Sequence, residues 1–80
     1  MTPAQCKAAR ALLDITQSNL AEAADLGLST VVDFEKERRQ VSPDAVAALE
    51  NALEHAGITF IRHGGGEGVF LRKLRHSRRK

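Results

Sequence analysis

At Gly57 the hydrophobic rhythm of the chain changes, and that change bounds what it can fold into. Upstream, apolar residues recur three and four apart, as on one helical face: Cys6, Ala9 and Leu13; Leu20, Ala21 and Ala24; Val31 and Phe34; Val46, Leu49 and Leu53. Downstream, Ile58-Thr59-Phe60-Ile61-Arg62 and Val69-Phe70-Leu71-Arg72 are short β-favouring runs. The glycine-rich stretch Gly64 to Gly68 separates them, which reads as a hairpin. The helix starts are equally well marked. Thr2-Pro3 and Ser42-Pro43 each pair a capping hydroxyl with proline at the first helical position. Thr16 caps another helix directly after apolar Ile15, Gly27 interrupts the pattern, and Gly57 closes it. The expected fold is mainly α: four helices over residues 1–57, a C-terminal β-hairpin over 58–72, and a basic, flexible tail over 73–80.

Eighty residues make one small domain, which buries only roughly 60% of its unfolded surface and leaves little margin of stability. Hydrophobic residues at 42% still suffice for a core, so disorder is excluded. No run approaches the roughly 18 apolar residues of a membrane span. The first residues lack the basic, apolar, small-residue order of a secretory signal, and one cysteine cannot close an intrachain disulfide. The cytoplasm is the expected location. Charge is strongly asymmetric: up to Ile61 there are five basic residues against nine acidic, whereas from Arg62 onward there are seven against Glu67 alone. Basic character therefore belongs to the C-terminal end, where it either tracks phosphate or is simply solvated.

Other chemistries find little support. His55, His63 and His76, with Cys6 as the one cysteine, do not make a zinc spacing, so neither metal nor cofactor is expected. Gly64 to Gly68 is followed by no Lys-Ser/Thr and reads as a loop rather than a phosphate cradle. Glu50 and Glu54 lie four apart as a solvated face, and Cys6 reads as a small core residue. No nucleophile–base or paired-carboxylate arrangement stands out, so an enzyme is not expected.

The informative stretch runs from Thr16 to Glu35. A capped helix carrying Leu20, Ala21 and Ala24 inward is followed by the Asp25-Leu26-Gly27 turn. A second helix then presents Ser29 and Thr30 at its N-terminal end, with Val31 and Phe34 inward. That is a helix-turn-helix layout, whose second helix offers its first side chains to base edges in a major groove.

The sequence resembles the lambda-repressor-like (Xre/Cro) helix-turn-helix family. Arg10, Ile15, Thr16-Gln17, Leu20-Ala21, Ala24, Leu26, Thr30-Val31, Phe34-Glu35, Arg38, Leu49 and Leu53 carry the likeness, over roughly residues 3–56 with the motif at about 17–36. The resemblance implies a lambda-repressor-like domain of four to five helices that binds duplex DNA as a regulator, usually as a dimer. It places Gln17 at a phosphate in support of the recognition helix, Leu28, Ser29, Thr30 and Asp33 toward the bases, and Arg38 and Arg39 along the backbone. Thr16, beside Gln17, and basic Lys36 are further DNA-contact candidates. It also implies that Arg10 and Glu35 form a structural ion pair between the first and third helices. The chain departs from the family pattern where Gly27 replaces a small polar cap, where Leu28 and Val32 are apolar, where Asp33 is acidic, and where Asp25 and Glu37 replace common glycines.

The expected function is a repressor acting on operator DNA as a homodimer. The hairpin supplies the dimer interface through Ile58, Phe60, Ile61, Val69, Phe70 and Leu71, because apolar residues on both faces of a two-stranded ribbon need covering. The alternative is a helix-turn-helix scaffold that docks a protein partner through Leu28 and Val32, as an anti-activator, adaptor or antitoxin would.

Overall fold

The computed structural model describes residues 1–72, so the basic tail lies outside the described residues. Four helices precede a hairpin: α1 Pro3–Leu13, α2 Gln17–Ala24, α3 Leu28–Lys36 and α4 Pro43–His55, then β1 Ile58–His63 and β2 Gly66–Leu71. The starts follow the sequence chemistry closely. The Thr2 and Thr16 hydroxyls accept the backbone N–H groups of Gln5 and Asn19, whose side chains return bonds to the cap N–H groups, so both helices open with a full capping box. Ser42 caps α4 through the Ala45 N–H ahead of Pro43, whereas Gly27 offers α3 no side chain. The first three helices end at a residue with positive φ: Asp14 at 57°, Asp25 at 58° and Glu37 at 55°. That left-handed conformation explains why glycine is common at the last two positions.

Buried side chains from every helix converge. Cys6 and Ala9 of α1, Leu20 and Ala21 of α2, Val31 of α3, and Leu49 and Leu53 of α4 form one cluster, which Ile58 of β1 joins. Ala9 and Ala21, both buried, have side chains small enough for neighbouring helices to approach closely. Val46 is only half-buried and outside this cluster, contrary to its helical spacing. Val41, just before the Ser42 cap, is buried instead.

The hairpin is tighter than the sequence implies. Its turn is Gly64-Gly65 alone, with φ of 56° and 84°, the double positive φ of a two-residue primed turn. Gly66, Glu67 and Gly68 are therefore not loop but strand, opposite His63, Arg62 and Ile61. The ribbon lies on α1 and α4. Gln5 of α1, 4% exposed, donates from Nε2 to the carbonyls of Ile61 (3.2 Å) and Gly68 (2.9 Å). Its Oε1 completes the capping box, so one side chain both starts α1 and holds the ribbon on it.

Candidate nucleic-acid interface

Hydrogen bonds from α1 and α2 converge on Glu35 of α3. It sits on the inner side of α3, 2% exposed, and a buried carboxylate there needs donors. Three elements supply them. Arg10 of α1 meets it as a fork, Nε to Oε2 and Nη2 to Oε1, both at 2.7 Å. Cys6 Sγ, one turn earlier on α1, donates to Oε2 at 3.1 Å, and Gln17 Nε2 at the start of α2 donates to Oε1 at 3.0 Å. Arg10 Nη1 also reaches the Ile15 carbonyl ahead of the Thr16 cap. The orientation of α3 relative to α1 and α2 is thus fixed by one hydrogen-bonded hub.

The charges in this hub respond to each other. Burial pushes the Glu35 carboxyl upward, but bonds from Arg10, Cys6 and Gln17 outweigh it and hold the pKa below the usual carboxylate range. The bond to Glu35 raises Arg10 further, despite partial burial. Burial pushes the Cys6 thiol strongly up, reinforced by its bond to Glu35 and by the carboxylate's charge, so it stays a thiol at neutral pH.

Around the hub, Lys7, Arg10, Thr16, Gln17 and Lys36 border a shallow depression of about 520 Å³, with Ile15 and Glu35 in its lining. Thr16, Gln17 and Lys36 are thus brought together beside the N-terminus of α2, where backbone N–H groups favour an anion. Lys7 was not among the expected contacts. Its position three residues before Arg10 on α1 is the signal that locates it.

The outer side of α3 carries the expected base-facing residues. Leu28 is 47% exposed, Ser29 is exposed, and Thr30, Val32 and Asp33 are half-buried. Asp33 does not stand free: its Oδ2 accepts from Arg39 Nε at 2.8 Å. Two residues assigned separately to bases and backbone therefore neutralise each other, leaving exposed Lys36 and Arg38 as the cations beside this helix.

The six hairpin residues divide by the strand alternation. Ile58 is buried, and Phe60, Val69 and Leu71 are half-buried against the helical core, so they face the chain's own body. All six are expected at a dimer interface; within the single chain these four pack against its own helices. Ile61, 42% exposed, and Phe70, 55% exposed, lie on the opposite face, diagonal neighbours because Ile61 pairs with Gly68.

Among the described residues no helix is long and apolar enough to cross a membrane, and no group of three potential metal ligands occurs. Residues 7–56 match the protein-family model described as Helix-turn-helix. No curated protein matches the chain.

Proposed function

The chain belongs to the lambda-repressor-like helix-turn-helix family, a family of DNA-binding regulators, and from that premise we propose that it is a sequence-specific transcriptional repressor acting on duplex operator DNA as a cytoplasmic homodimer. The observation that carries this reading is the Glu35 hub. A recognition helix must enter the groove at a fixed angle, and bonds from α1 and α2 fix α3 while its outer side stays open. The basic depression at the start of α2 supports the reading as a phosphate seat, with Lys7, Thr16, Gln17 and Lys36 around it. Ile61 and Phe70 supply the surface through which two copies would pair.

Titration of the protein against duplexes from the DNA flanking its own coding region, at two salt concentrations, tests this function. Specific binding with a strong salt dependence is the expected outcome. Should no duplex bind more tightly than about 10⁻⁵ M at moderate salt, the regulator reading gives way to the protein-docking scaffold.

A further inference from the structure

Resting on the reading that α3 enters a major groove, we propose that Leu28 selects a C5-methylated pyrimidine, so that each operator half-site presents a methyl group at that step. Leu28 is the first residue of α3 and holds 47% of its surface open to water, although its side chain offers no hydrogen-bonding group. Val32, four residues on, lies on the same side of the helix and extends the apolar stripe. The apolar feature of a base edge in the major groove is the C5-methyl of thymine. 5-Methylcytosine carries the same group at the same carbon.

The neighbouring side chains sharpen this assignment. A purine is recognised by a side chain with a bidentate fork, such as Arg, Asn or Gln, and the first turns of α3 contain none of these. Ser29 and the half-buried Thr30 each bring a single hydroxyl, which serves as donor or acceptor and discriminates weakly. Asp33 would accept from a cytosine amino group, but Arg39 Nε holds its Oδ2 at 2.8 Å, which leaves Oδ1 alone for such a contact. Methyl contact by the exposed Leu28 is then the discriminating interaction assigned to the start of this helix.

The test begins with selection of bound sites from a random duplex pool by the full chain. Each thymine of the selected site is then replaced singly by deoxyuridine, which removes only the methyl group. At one position per half-site the unmodified protein should lose about fourfold in affinity, the factor expected for one buried methyl. Leu28→Ala, on an exposed position, should keep its helical circular dichroism and be indifferent to the same replacement. At that position a 5-methylcytosine·guanine pair should bind better than cytosine·guanine, and its rank against thymine·adenine identifies which methylated base is preferred. Affinity untouched by every deoxyuridine, or an equal loss in Leu28→Ala, overturns the assignment and leaves DNA binding standing. A pool that yields no bound duplex overturns the regulator reading, and the assignment with it.

Discussion

Glu35 shows how a single charge shapes this small protein. Removing it by Glu35→Ala leaves the Arg10 guanidinium without its fork, and strips Cys6 and Gln17 of their acceptor. Breaking a buried pair costs about 3–5 kcal/mol, and the Arg10 side chain, 20% exposed, can turn partly to water, so about 3 kcal/mol is expected by urea denaturation. The pH dependence follows from the lowered carboxyl pKa. Unfolded, Glu35 titrates near about 4.3, so its contribution is fully present above that value and is lost as pH falls through the lower folded pKa. Denaturant midpoints measured from pH 6 down to pH 2.5 should therefore fall for the unmodified protein, and fall less steeply for Glu35→Gln. A second residue-scale expectation concerns Glu37, which ends α3 at φ 55° where a Cβ is unwelcome. Glu37→Gly relieves that strain but frees the unfolded chain, a net gain of about 0.5–1 kcal/mol. A rise in Tm of about 3–5 °C in a calorimetric scan would be the corresponding signal.

At the scale of elements, the helix starts were legible because capping chemistry is local: Thr2-Pro3, Thr16 and Ser42-Pro43 each identify their position without tertiary information. The helix-turn-helix spacing and the Arg10–Glu35 partnership were legible through family resemblance. Contacts between distant segments were not. Nothing in the local sequence of Gln5 shows that its amide reaches carbonyls more than fifty residues away, and nothing near Asp33 shows that Arg39 will turn back onto it. The facing of the hairpin was equally hidden, because alternation fixes which residues share a side but not which side meets the helices. Gln5 is accordingly the sharpest test of how the ribbon is attached. Gln5→Leu keeps the buried volume but loses both carbonyl bonds and half of the Thr2 capping box. A loss of about 2 kcal/mol is expected, at roughly 1 kcal/mol for each bond to the ribbon. Hydrogen exchange should show the β1 and β2 amides opening faster, while α2 and α3 change less.

For the whole molecule, the separation of charge and the one-sided burial of the hairpin make different demands. The helical body is net acidic, so residues 73–80, with five basic side chains, would supply general phosphate attraction. Truncation after Arg72 should weaken specific and non-specific duplex binding alike and make the salt dependence shallower, whereas an unchanged slope would assign those charges to solvent. In the proposed homodimer the hairpin would instead govern assembly. Ile58 is buried and Phe60, Val69 and Leu71 are half-buried against the helices, whereas Ile61 and Phe70 remain exposed as diagonal neighbours on the outer face, with Gly68 opposite Ile61 adding no side chain. A ribbon of only two strands also leaves an unpaired backbone edge on each, a template for association. Two-fold pairing of hairpins would cover both the apolar patch and one edge, and would set two α3 helices as a unit for major grooves about 34 Å apart. Ile61→Glu with Phe70→Glu places charge on that outer face without touching the core. Light scattering at tens of micromolar should then give a dimer for the unmodified chain and a folded monomer for the double variant. Operator affinity should fall sharply in the variant, because each monomer keeps half a site. A clean monomer for the unmodified chain at that concentration would remove the hairpin as the dimer interface and leave Ile61 and Phe70 facing water.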